Sequence, residues 1–146
     1  MTDDYVTPLQ DFANDHGYLS WLGVTVEEAE EGRVRLSVPF DEELLNPSDD
    51  PTVHGGIAAT LVDTASGFVL RTTFEDARNA ALTTTDLNVS YLRPVTDDLE
   101  ADATVVRAGG TMGVADVTIY TTKPSGERTE AATGRATYRL FRDADE

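Results

Sequence analysis

A chain of 146 residues is long enough for one domain with a modest core, and residues 1–146 are read as that single domain. The absence of cysteine excludes disulfides, thiolate zinc sites and a cysteine nucleophile, and two histidines, His16 and His54, are too few for a histidine-rich metal site. Eleven Lys and Arg stand against 27 Asp and Glu, so the net charge is −16, which opposes the phosphates of nucleic acid.

The acids are spread along the whole chain rather than gathered in a tail, and Lys123 is the only lysine. That pattern points to adaptation to high salt, where counterions screen the self-repulsion. The N-terminus, Met-Thr-Asp-Asp-Tyr, lacks the basic and apolar regions of a signal peptide. No apolar run reaches the ~20 residues that span a bilayer. The expectation is a cytoplasmic protein with no membrane and no nucleic-acid partner.

Residues 7–21 read as a first helix. Thr7 is placed to cap it, Pro8 suits its first turn, Leu9, Phe12, Ala13 and His16 share one side, and Gly17 ends it. Trp21 and Leu22 then look like core or interface. Residues 23–29 and 33–40 alternate apolar and polar across a Glu30-Glu31-Gly32 link, the pattern of a hairpin. Residues 41–53 carry Pro47, Pro51 and a run of acids and read as a loop.

The longest apolar-periodic run follows, from His54 to Leu70. Ile57, Leu61, Thr64, Ala65 and Phe68 recur at helical spacing. At about 100° per residue, Asp63 projects about 240° round from Ile57, among the small residues Ala59, Ser66 and Gly67. Strand candidates cover 82–92, 99–107, 112–122 and 129–141, with Leu87, Val89 and Tyr91 alternating in the first and Ala136, Tyr138 and Leu140 in the last. The order is helix, two strands, long helix, four strands. That is an α+β protein with an antiparallel sheet packed on one helix.

Two features of this helix carry chemistry. His-Gly-Gly opens it, and the free N–H groups at its start stabilise a developing negative charge. Asp63, flanked by Leu61, Val62 and Ala65, is a carboxylate kept from full exposure, which needs a partner or a task. Amides at a helix start serve as an oxyanion hole, and a carboxylate serves as general base or as nucleophile. Hydrolysis of a thioester needs no more than these, because a thiolate leaves readily.

His54-Gly55-Gly56, Asp63 nine residues beyond His54, the upstream Asn46 and the strand Thr84-Thr85-Asp86-Leu87-Asn88-Val89-Ser90-Tyr91-Leu92-Arg93-Pro94 together resemble the acyl-CoA thioesterases of the hotdog fold, in particular the phenylacetate-pathway (PaaI-like) group. The resemblance implies a curved antiparallel sheet wrapped around a long central helix. It implies that the Gly55 amide, with Gly56 beside it, polarises the thioester carbonyl, that Asn46 and His54 assist, and that Asp63 is the catalytic acid. It also implies a hydroxyl on the next strand that holds the water. Thr84 fits best, with Thr83 and Thr85 as neighbours in the substrate site. The substrate would be an acyl- or aryl-CoA with no separate cofactor and no metal, and the chain a homodimer or a dimer-of-dimers tetramer.

Arg71, Arg93 and Arg107 read as surface residues balancing local acids, one of them free to meet a CoA phosphate. A non-catalytic acyl-CoA-binding or sensing domain on the same fold is the rival, and the presence of Asp63 without a basic helix argues against it. A hotdog dehydratase would want a His after the central helix, and none follows residue 54.

Overall fold

The computed structural model describes residues 4–142. Helix α1 (Val6–Asp15) and helix α2 (Gly17–Leu22) precede strands β1 (Thr25–Glu30) and β2 (Arg33–Val38), and a 3-10 turn (Glu42–Leu44) leads to the long helix α3 (Gly55–Arg71). Strands β3 (Leu82–Tyr91), β4 (Asp98–Ala108), β5 (Met112–Thr122) and β6 (Arg128–Leu140) complete the chain. All six strands form one antiparallel sheet in the order β1-β2-β4-β5-β6-β3. The sheet curves around α3 in the hotdog arrangement. No helix among the described residues is long and apolar enough to cross a membrane.

Helix α3 is buried almost all round because the sheet wraps it. Ile57, Ala58, Leu61, Val62, Ala65, Phe68, Val69 and Leu70 all lie in the core, where they meet Leu36, Val38, Leu99, Ala101, Val117, Ile119 and Ala136 from the strands. A helix that is apolar on most of its faces is stable only when so enclosed. Its one unburied stripe runs through Gly56, Ala59, Thr60, Asp63 and Thr64. Thr64 therefore leaves the core stripe that its spacing suggests. Ser66 and Gly67 do the reverse: both are buried within the chain.

The first helix of the sequence reading is two helices. His16 is extended (ψ 118), and its Nδ1 accepts the Leu19 N–H at 3.3 Å, so His16 caps α2 and Gly17 begins a helix instead of ending one. The kink lets Leu9 and Ala13 from α1 and Leu19 and Leu22 from α2 all reach the core. Thr7 does not cap α1; its N–H donates to Asp4 Oδ1 at 3.2 Å. Trp21 is not core: it is 57% exposed and stacks on Tyr18. Helix α1 also covers part of edge strand β1, where Gln10 accepts the Val26 N–H at 2.7 Å and donates to Val24 O at 3.1 Å. The opposite edge strand, β3, stays largely exposed.

Strand β3 contains a bulge. Thr84 pairs with Tyr138 and Asp86 with Thr137, so Thr85 is the unpaired extra residue. One added residue moves later side chains to the other face. Thr84 before the bulge and Leu87, Val89 and Tyr91 after it thereby share the inner face, although their numbers differ in parity. This is what aims Thr84 at α3.

Candidate active site

Asp63 projects from the unburied stripe of α3 toward the inner faces of β3 and β6. Its Oδ1 accepts the Thr84 hydroxyl at 2.7 Å, and the Tyr138 hydroxyl lies 2.5 Å from the same oxygen and 2.7 Å from the Asp63 carbonyl. Both donors hold one carboxylate oxygen. Oδ2 has no hydrogen bond to protein among the described residues. The carboxylate is thus fixed in orientation with one oxygen free. Burial, and then the bond to Asp63, push the Tyr138 phenol well above its ordinary value, so it stays protonated and donates.

Gly67, on the small face around Asp63, is explained by this tyrosine. An ideal Cβ on Gly67 would lie 2.8 Å from the Tyr138 hydroxyl, so glycine there leaves room for the phenol to reach Asp63. The space beside the acid is filled by a residue of the same chain. Asp63, Thr83 and Thr84 line a cavity of about 330 Å³ whose walls include Phe12, Tyr18 and Phe68. Thr85 is absent from that lining. Its hydroxyl turns back and donates to Thr137 O at 3.1 Å.

The other expected residues gather at the start of α3. His54 caps the helix, its Nδ1 accepting the Gly56 N–H at 2.8 Å. That fixes the neutral tautomer, with the proton on Nε2. It also corrects one expectation: the Gly56 N–H is committed to His54 and is not a second donor to substrate. The Gly55 N–H has no acceptor in the protein among the described residues. Tyr91 on β3 donates its hydroxyl to Gly55 O at 2.6 Å and ties the strand end to the helix start.

Asn46 reaches this region despite the seven residues between it and His54. The Leu45–Val53 bridge and the Asn46 N–H to Thr52 O bond (2.9 Å) close residues 47–51 into a protruding hairpin, so Asn46 stays beside the base of the loop. His54 N–H to Leu44 O (2.8 Å) anchors the other side. Asn46, His54, Gly55 and Tyr91 line a second cavity of about 370 Å³. Both cavities fall in the size range of small-molecule sites.

The two cavities share no lining residue. Gly55 and Asp63 are eight residues apart, a rise of about 12 Å along the helix. One chain therefore presents a helix-start amide in one place and a carboxylate in another.

Two residues of the acid's cavity escaped the sequence reading. Tyr138 sits in the apolar alternation Ala136, Tyr138, Leu140 and reads there as ordinary core; a phenol opposite a helical glycine was the available signal. Arg71 read as a surface charge, yet it is only 9% exposed and lines the same cavity as Asp63.

The curved six-stranded sheet around α3, with a free amide at the helix start and a hydroxyl-held carboxylate farther along it, defines a hotdog-fold hydrolase. The thioesterase superfamily model matches residues 50–126. A protein of Halobacterium salinarum named "putative esterase" is 49% identical over 144 residues, covering 97% of this chain and 95% of its own. Human acyl-coenzyme A thioesterase 13 is 33% identical over 119 residues, covering 80% of this chain and 79% of its own. The crystal structure of a thioesterase family protein from Silicibacter pomeroyi superposes with a TM-score of 0.83 at 29% identity, covering 94% of this chain and 98% of that one. The chain belongs to the thioesterase superfamily, and thioester hydrolysis is the chemistry of its class.

Proposed function

We propose that this protein hydrolyses an acyl- or aryl-CoA thioester to the free acid and CoA, as a cytoplasmic enzyme of the PaaI-like group. Each site is built from two chains: Gly55, His54 and Asn46 of one, Asp63 and Thr84 of its partner. The observation that carries the reading is the Asp63 carboxylate, held through Oδ1 by Thr84 and Tyr138 with Oδ2 free at a cavity.

The Gly55 N–H donates to the thioester carbonyl oxygen, and the His54 Nε2–H and the Asn46 side chain stand beside it. As general base, Asp63 Oδ2 takes a proton from water while the water oxygen adds to the carbonyl carbon. The oxyanion develops against the Gly55 amide; such a donor supplies roughly 3–4 kcal/mol. Collapse breaks the C–S bond, the acid leaves, and the CoA thiolate recovers the proton. As nucleophile, the same oxygen attacks the carbonyl, expels the thiolate and forms an anhydride that water then opens. A free Oδ2 serves either course. Residence of one relative in Halobacterium salinarum agrees with the −16 charge and supports a salt-adapted enzyme.

The test is release of CoA thiol from a panel of acyl- and aryl-CoA esters by the wild-type chain and by Asp63→Asn. We expect turnover on at least one ester and a fall of ~10²–10⁴ in kcat for the folded variant, the range for loss of a general base. Near-normal turnover by folded Asp63→Asn would remove Asp63 from the chemistry.

A further inference from the structure

We infer that Arg71 closes the acyl end of the Asp63 cavity and selects an acyl group that itself ends in a carboxylate, so that the preferred substrate is the mono-CoA thioester of a dicarboxylic acid. The inference rests on the thioesterase reading above and adds the substrate class.

Arg71 is the one buried charged residue among those described. It has no carboxylate within ion-pair distance among the described residues. Nη1 is satisfied, donating to Ala77 O at 3.0 Å and Arg78 O at 3.2 Å. Nε and Nη2 make no hydrogen bond to protein among the described residues. The guanidinium lies 4.0 Å over the Phe12 ring, which fixes its plane. Arg78 also approaches Phe12, but its charge is taken up by Asp15 at 2.8 Å, which leaves Arg71 as the cation the cavity sees.

Placement fits a substrate terminus. Arg71 and Asp63 line one cavity, separated by eight residues of α3, or about 12 Å of helix rise. The guanidinium is close enough to interact electrostatically with Tyr138, the phenol that holds Asp63. Phe12 and Phe68 line the same cavity and give it an apolar wall for the methylenes or ring of an acyl group. A buried cation with unpaired donors is costly, and a carboxylate accepting from Nε and Nη2 relieves it with two parallel hydrogen bonds. Burial accordingly lowers the Arg71 guanidinium to about 10.

The test compares adipyl- and suberyl-CoA with hexanoyl- and octanoyl-CoA, by kcat/KM, for the wild-type chain, Arg71→Met and Arg71→Lys. We expect the wild type to prefer the carboxylate-ended esters. The ratio of kcat/KM, carboxylate-ended over plain, should fall at least tenfold in Arg71→Met, with Arg71→Lys between the two. A merely structural arginine would lower both kinds of ester together and leave the ratio unchanged, which overturns the inference. So does a wild type that prefers plain chains, whether or not Arg71→Met folds. In both cases the thioesterase reading stands, because the plain esters are turned over. Hydrolysis of neither kind overturns the inference alone; the thioesterase reading falls only if the aryl-CoA esters are refused as well.

Discussion

Removing the Tyr138 hydroxyl alone, as Tyr138→Phe, separates its work at Asp63 from its packing. The ring stays, so no cavity opens, and the lost group is a buried hydroxyl 2.5 Å from a carboxylate oxygen. A hydrogen bond to a charged group contributes about 1.5–3 kcal/mol. At roughly 2–4 °C per kcal/mol for a chain of this size, the melting temperature should fall by about 3–12 °C. Asp63 keeps Thr84 but loses one of its two constraints, and a small displacement of a reacting group costs up to about a hundredfold. We expect kcat to fall roughly ten- to hundredfold with KM nearly unchanged. The pH dependence gives a second readout. The folded-state phenol is raised above its ordinary value of 10.0, so its contribution is complete below that pH and is lost as pH climbs above it, where only the unfolded chain releases the proton. The stability difference between wild type and Tyr138→Phe should be constant from neutral pH up to about pH 10 and shrink above it. A Phe variant with wild-type kcat and wild-type melting would refute the account of how Asp63 is held.

Two further outcomes are expected. His54→Ala removes the ring whose Nδ1 accepts the Gly56 N–H; loss of a cap costs about 0.5–2 kcal/mol, and a denaturant midpoint equal to wild type would show that His54 does not cap α3 in solution. The −16 charge predicts that stability rises from about 0.1 M to molar salt, as the Debye length falls from ~10 Å to ~3 Å, and melts that stay flat or fall would contradict it.

The strands and the central helix were legible because each has one buried face or a long apolar run, and burial writes its period into the sequence. Met112 to Thr122 was read to the residue. What escaped depends on side chains that meet only in three dimensions. His16 broke the first helix because its ring competes for the Leu19 N–H, a local bond that periodicity does not register. The bulge at Thr85 was present as a conflict of parity between Thr84 and Leu87, resolvable only by an inserted residue. Tyr138 and Arg71 were hidden for opposite reasons. A tyrosine in an apolar alternation reads as core, and Arg71 read as a surface charge balancing local acids. Tyr138 meets the cavity of Asp63 because the sheet wraps over α3, and Arg71 is held there by Phe12 and the carbonyls of Ala77 and Arg78. Asn46 shows the converse: the chain between it and His54 folds into a hairpin that keeps it beside the helix start.

The claim that each site is shared between two chains is tested most directly by subunit exchange. Gly55→Pro removes the amide cleanly, since proline suits the first position of a helix and His54, at φ −54 and ψ 131, already has the backbone that precedes proline. The added ring presses on the Tyr91 side chain, whose nearest atom stands 3.2 Å from an ideal Cβ at Gly55. Tyr91 is exposed and can shift outward, at the expense of its bond to Gly55 O. Gly55→Pro and Asp63→Asn chains, each inactive alone, are mixed and allowed to exchange, with heterodimer formation followed by mass spectrometry. A shared site predicts that activity returns, because one of the two sites in each heterodimer has every wild-type group. Complete exchange with no recovered activity would confine the site to a single chain and contradict the account.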